Sequence, residues 1–402
     1  MYENWWDSTG RAAPRSRRHR PVWAGVVGLA AAAALLLAAC GGSSSPSGAS
    51  GTTGTSGVSA AARSTAQADL TRGEQPPAFT APGPSFDASA AKGKTLWVID
   101  ILSSIPLVQV TDEAAKSALQ LVGAKLVRYD GKGSVSDYAA GIHQAIAQHA
   151  SAIALFAIDP ALVAGPVQQA KAAGIPVIVL QYGDPGTQMP LDLKAQVTYC
   201  YSCAGKMMAS YIIAHSKGAS PSVAIIESKE VTNSKPEVDG FKQTFNDLCP
   251  GCSLIEQNVP IADWQTKIPT LTQSLIRSHP DLDYIVPIYD GMALFVVPAV
   301  HSAGAANKVG VVTWNGTLGV MQNMASGDVV KADVGSPQAW EGWALADQFL
   351  RVVAGQDPIV DEKVGLRVFD ETNIGQVPLE KPEAEWYGVD FIPVYKQMWG
   401  VG

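Results

Sequence analysis

The chain has 402 residues, 47% of them hydrophobic and 16% charged, with a formal net charge of −7. That is enough apolar material for two packed domains, and the acidic balance argues against a nucleic-acid surface.

The first 40 residues form a segment of their own. Arg11, Arg15, Arg17, Arg18 and Arg20 make a basic start, and Val22–Ala39 is apolar and rich in Ala and Leu. This order is that of an export signal over residues 1–39. Leu37-Ala38-Ala39-Cys40, with Gly41-Gly42 behind it, resembles the bacterial lipobox, in which a lipid is attached to the cysteine after cleavage before it. The competing readings are an ordinary cleaved peptide and a retained anchor of about 18 residues, just long enough to span a bilayer. The lipobox favours lipidation at Cys40 and attachment to the outer face of the membrane. Arg17-Arg18 leaves the twin-arginine route open beside the general one. Cleavage leaves 24 basic and 34 acidic residues. Residues 40–93, rich in Gly, Ser, Thr, Ala and Pro, read as a flexible tether.

From Thr95 onward, strand and helix patterns alternate. Thr95–Leu102 is a strand, and Thr111 caps a helix whose apolar positions Ala115, Ala118, Leu119 and Val122 share one face. Lys125–Tyr129, Ala152–Ile158 and Val177–Leu180 are further strands, with helices over Ser136–His149 and around residues 161–174. Strand starts near 95, 125, 152 and 177 have the spacing of βα units, hence one parallel lobe wound on both faces. The pattern then restarts: strands at Ser222–Ile226, Leu254–Gln257, Asp283–Ile288, Val309–Trp314 and Val329–Val334 alternate with helices, and a long helix covers Gln338–Val353. Two such α/β lobes leave a cleft that the carboxyl ends of both sets of strands can face.

Besides Cys40 there are two C-x-x-C pairs, Cys200/Cys203 and Cys249/Cys252. In an exported chain an even count points first to structural disulfides, each pair closing its own turn or the two bridging each other. A zinc site lacks histidine at ligand spacing, and neither pair reads as lying between a strand and a helix start as thioredoxin motifs do. No catalytic constellation accompanies His143, His149, His215, His279 or His301, and no phosphate-binding glycine loop is present. No enzymatic activity, cofactor or metal is therefore expected; the one enzyme alternative is a thiol oxidoreductase using Cys200/Cys203.

Four stretches, in this order, resemble the type I periplasmic sugar-binding proteins, the solute receptors of ABC importers. They are Lys171-Ala172-Ala173-Gly174-Ile175-Pro176-Val177, Asp239-Gly240-Phe241, Tyr289-Asp290-Gly291-Met292-Ala293-Leu294 and Val311-Val312-Thr313-Trp314-Asn315-Gly316-Thr317. The resemblance covers about residues 94–355. It implies two doubly wound parallel-sheet lobes joined by a three-strand hinge, with crossings near Val197, Gly335 and Val364. The lobes are then residues 94–197 with 336–364, and 198–335 with 365–402; Trp386, Tyr387, Phe391 and Trp399 of the tail are assigned to packing across the lobes. It also implies a small-molecule ligand, ABC permease subunits as partners and a monomer. A sensory receptor serving a membrane signalling partner is the alternative.

Carried over position by position, the pocket departs from the family. The usual Asp-Arg after the fourth strand is Gln181-Tyr182, the ligand arginine on the 236–248 helix is Glu237, and the asparagine before Asp290 is Tyr289. The aspartate after Trp314 is Asn315, the glutamine at the second crossing is Ser336, and the first loop carries Ser103 and Ser104. With Asp159, these residues predict an aromatic, weakly charged cleft for a sugar-like ligand that is less hydroxylated or cationic.

Overall fold

The computed structural model describes residues 57–401. Cys40 and the export segment lie outside them. No helix among the described residues is long and apolar enough to cross a membrane.

The chain begins with helix α1, Ala60–Gly73, N-capped by Ser59, whose side chain accepts from Ala62 N. In the first lobe β1 (Thr95–Asp100), α2 (Pro106–Gln120), β2 (Lys125–Asp130), α3 (Val135–Ala147), β3 (Ala152–Phe156), α4 (Ala164–Ala172), β4 (Val177–Leu180) and β5 (Ala195–Val197) alternate. The sheet order is β2-β1-β3-β4-β5, all parallel. Its central strands β3 and β4 are buried at every residue, as expected for strands covered on both faces. The helix predicted to begin at Thr111 starts five residues earlier, because Pro106 suits the first helical position. Thr111 is instead buried and donates to Glu341.

The second lobe holds α5 (Tyr201–Ala214), β6 (Ser222–Glu227), α6 (Ser234–Leu248), β7 (Ser253–Asn258), α7 (Trp264–Ser278), β8 (Tyr284–Pro287), α8 (Asp290–Ser302), β9 (Gly310–Asn315), α9 (Leu318–Ala325) and β10 (Val330–Gly335). Next, α10 (Gln338–Val353) returns to pack on α2 of the first lobe, and β11 (Arg367–Asp370) closes the second sheet antiparallel to β10. That sheet runs β11-β10-β9-β8-β6-β7. The chain thus passes between sheets after β5, after β10 and before β11. Helices α5 and α6 cross closely because both contribute glycine: a Cβ on Gly205 would lie 1.9 Å from Glu237 O, and one on Gly240 2.2 Å from Ser202 O. The Asp239-Gly240-Phe241 stretch is thereby explained by packing.

Two expectations need correction. Residues 57–93 are not a tether: α1 docks on α5 with Ala66 and Leu70 buried. Pro76–Ala91 then passes alongside the hinge, with the Phe79 ring 4.8 Å from Trp340 and Phe86 beneath the Arg351 guanidinium. The Ala-rich composition that reads as linker is what lets two helices approach closely. The tail is not confined to the second lobe either. It starts there as β11, but α11 (Ile392–Met398) lies on α10, where Trp399 stacks on Trp343 at 5.3 Å and Phe391 on Trp340 at 5.8 Å. The Trp-rich face of α10 requires this apolar cover.

Candidate ligand-binding site

The carboxyl ends of the strands in both sheets converge on one buried cavity of about 30 Å³, room for about one water. From the first lobe come Ile101 and Ile105 after β1, Leu107 and Val108 at the start of α2, Phe156 at the end of β3 with Ala157 just after it, and Gln181 after β4. From the second come Val231 and Asn233 after β6, Ile261 and Trp264 after β7, and Tyr289 and Gly291 after β8. The lobes meet directly where Thr232 Oγ1 donates to Gln181 O at 3.4 Å.

Gln181 occupies the left-handed region, φ 58°, unusual for a non-glycine residue and of a kind that collects at functional sites. Its N–H donates to Val197 O at 2.9 Å and its Nε2 to Glu341 Oε2 at 3.0 Å. Opposite, the Tyr289 hydroxyl donates to Asn233 Oδ1 and shares a 2.7 Å hydrogen bond with Ser234 Oγ. Burial holds the Tyr289 phenol well above its usual range.

Of the predicted site residues, Gln181 and Tyr289 line the cavity and the others do not. Trp314 is fully buried behind it, its ring 5.4 Å from Tyr201 and 6.0 Å from both Tyr199 and Tyr289. Asn315, at φ 143°, accepts from Asp290 N through Oδ1, while its carbonyl accepts from Ser336 N and Oγ. Both residues brace the turn after β9. Asp290 accepts from Thr317 N at 2.6 Å, Thr317 Oγ1 at 2.7 Å and Thr313 Oγ1 at 3.1 Å. It holds the β9 turn, and burial raises its carboxyl to about 6 against these hydrogen bonds. Asp159 caps the short helix Pro160–Val163 by accepting from Ala161 N at 2.8 Å. Beside it Tyr182 is half-exposed, and desolvation followed by the Asp159 charge raises its phenol.

Glu237, expected in the cleft, is fully buried with neither carboxyl oxygen partnered, and desolvation raises it well above the usual range. The tight α5–α6 crossing is what covers it. Ser103 ties its loop to Asp130 and Asp100 within the first lobe. Ser104 borders an adjoining hollow of about 400 Å³ that shares Ile105, Ile261, Trp264 and Gly291 with the cavity and also touches Lys132, Gly133 and Leu294. No lining residue of the cavity is charged, so the carboxylates expected to meet a cationic ligand do not face it.

Sequence reading missed Trp264, whose indole N–H donates to Ser228 Oγ at 2.9 Å, and Asn233. Each follows a second-lobe strand, and that position is the signal that would have found them. The two cysteine pairs each close their own turn as Cys200–Cys203 and Cys249–Cys252. Cys200 is, however, the residue that precedes α5, a few residues after β5, so this pair does lie between a strand and a helix start, contrary to the sequence reading. Among the described residues no His, Cys, Asp and Glu cluster could hold a metal ion.

The family model described as periplasmic binding protein domain matches residues 102–357. The chain belongs to this family. As a periplasmic binding protein it falls among the extracytoplasmic solute receptors of ABC importers for sugars, which are not enzymes. It is 27% identical over 254 residues to the ABC transporter periplasmic-binding protein YphF of Escherichia coli (strain K12), covering 61% of this chain and 75% of that one. It is 27% identical over 236 residues to the ribose import binding protein RbsB of Salmonella typhimurium, covering 56% and 74%. Among solved structures, an ABC transporter solute-binding protein from Agrobacterium vitis with bound allitol superposes with a TM-score of 0.63 at 17% identity, covering 70% of this chain and 97% of that one. This periplasmic binding protein therefore shares their two-lobed fold.

Proposed function

We propose that this periplasmic binding protein is a lipid-anchored receptor on the outer face of the cell membrane that closes on a small molecule and delivers it to an ABC permease. The observation that carries the reading is the cavity built from both lobes, with Thr232 of one reaching Gln181 of the other. A ligand there touches both walls only when the lobes are shut, so its differential affinity shifts the hinge equilibrium toward closure. Closure creates the surface that a permease can distinguish from the open form. The ribose and allitol in the names of its relatives support a sugar or sugar-like ligand. The departures at Gln181 and Tyr289, the two predicted residues that line the cavity, support one with fewer hydroxyls.

Lipid attachment at Cys40 is supported by the Leu37-Ala38-Ala39-Cys40 tetrad. The tether behind it is shorter than residues 40–93, because α1 is already folded onto the second lobe. Two measurements test the whole. Labelled palmitate should enter the wild-type protein and not Cys40→Ala. Small-angle scattering should show compaction when a bound solute is supplied, and a radius of gyration that no candidate solute changes would refute the receptor role.

A further inference from the structure

The space between the lobes is larger than the inner cavity. The hollow of about 400 Å³ adjoins it, and Ile105, Ile261, Trp264 and Gly291 line both. Both lobes build the hollow: Leu102 and Ile105 come from the first, and Ile261, Trp264, Leu294 and Phe295 from the second. The lobes approach closely there, since a Cβ on Gly133 would lie 3.3 Å from Ile261 Cγ2. Trp264 is fixed in place: its indole N–H donates to Ser228 Oγ at 2.9 Å and Val259 O at 3.2 Å, and a Cβ on Gly291 would lie 2.7 Å from its ring. The polar part of the lining is sparse and solvent-exposed. It comprises Ser104, Gln265 and Lys132, and the Lys132 ammonium already faces Asp137 Oδ1 at 3.8 Å.

Resting on the receptor reading, we propose that the ligand is an uncharged molecule larger than one sugar ring, a sugar-like end joined to an apolar ring as in an aryl glycoside, with the apolar ring seated in the hollow. Size supports the first part. A space of about 400 Å³ lined mainly by hydrocarbon, with a few polar groups, has the dimensions and character of a small-molecule pocket, whereas the inner cavity holds about one water. Chemistry supports the second. A free monosaccharide has a hydroxyl on nearly every carbon, and each one set against Leu102, Leu294 or Phe295 without a partner opposes binding. An apolar ring instead exchanges water for those same side chains. The walls come from both lobes, so a ring between them favours the shut form and the substituent contributes to closure as well as to affinity.

The experiment titrates full-length protein in detergent with D-ribose, D-glucose and D-galactose, each as the free sugar and as its 4-nitrophenyl glycoside. Calorimetry reads affinity and small-angle scattering reads lobe closure. The best glycoside is expected to compact the protein and to bind at least tenfold more tightly than its free sugar. Leu294→Asp, which sets a charge in the hollow at an exposed position, should remove about tenfold of that affinity. Ala262→Phe, which fills the hollow, should abolish the preference for the glycoside; thermal melts verify that both variants fold. Should Leu294→Asp fail to fold, Ala262→Phe decides alone. Free sugars that close the lobes and bind as tightly as their glycosides would overturn the proposal while leaving the receptor reading intact. A glycoside preference that survives in Ala262→Phe also overturns it. No closure with any free sugar or glycoside would overturn the receptor reading as well.

Discussion

The Gln181 side-chain amide donates to Glu341 Oε2 at 3.0 Å, joining the ligand-facing end of β4 to the first turn of α10. Thr111 Oγ1 donates to the same oxygen at 3.3 Å, and Glu341 is fully buried. Burial pushes its carboxyl from the usual 4.5 up to about 8, against hydrogen bonds that lower it. Glu383, which accepts from Gln338 N and Ala339 N, is raised to about 8 by burial as well. Between pH 4.5 and 8 the folded protein therefore holds more protons than the unfolded chain, so stability falls as pH rises through that window. Each group contributes at most about 1.4 kcal/mol per pH unit. Thermal midpoints from pH 5 to 9 should decline across this range, and Glu341→Gln should flatten the slope while keeping the acceptor for Gln181. An unchanged slope in the variant would contradict the assignment.

Trp314 and Tyr182 are expected to separate sharply. Trp314 is enclosed by Tyr199, Tyr201 and Tyr289, so Trp314→Ala leaves a cavity and should cost about 3–5 kcal/mol of stability. Tyr182 is half-exposed, and Tyr182→Ala should change stability by less than about 1 kcal/mol. Urea melts of the two variants distinguish them; equal effects would mean that Trp314 is not a packing residue.

Glu237 has two buried oxygens with no partner. Replacing it with an apolar side chain of similar length removes that penalty, so Glu237→Met should stabilise the protein by about 1–3 kcal/mol. A lowered melting temperature would show that the carboxyl is paired in solution.

Helix α1 belongs to the folded unit. Leu70 is 1% exposed, and Leu70→Ala should cost about 2–5 kcal/mol. A flexible leader would lose nothing, so denaturant titration discriminates the two.

The disulfides Cys200–Cys203 and Cys249–Cys252 each close a four-residue loop, which on loop entropy contributes about 2 kcal/mol apiece. Reduction should lower the melting temperature without preventing ligand-driven closure. Loss of closure on reduction would assign the Cys200–Cys203 pair a working role at the hinge.

Much of the architecture was legible from residues alone. Gly174 and Pro176 end a helix before Val177–Leu180, and apolar runs of this kind recur at the spacing of βα units, because secondary-structure period and helix stops are local properties. That Gln181 and Tyr289 face a gap followed from their place just after strands in an open α/β fold. What locality could not supply was depth. Glu237 reads as a cleft residue until Gly205 and Gly240 allow α5 and α6 to cover it. Trp314 lies at the carboxyl end of β9 and Tyr289 just past that of β8, yet the rings of Tyr199 and Tyr201 shut Trp314 away from the cavity. The Ala-rich 60–73 stretch reads as linker until α5 provides a face for it. Burial is decided by partners distant in sequence, so only the packed structure determined which of these groups line the cavity and which lie behind it.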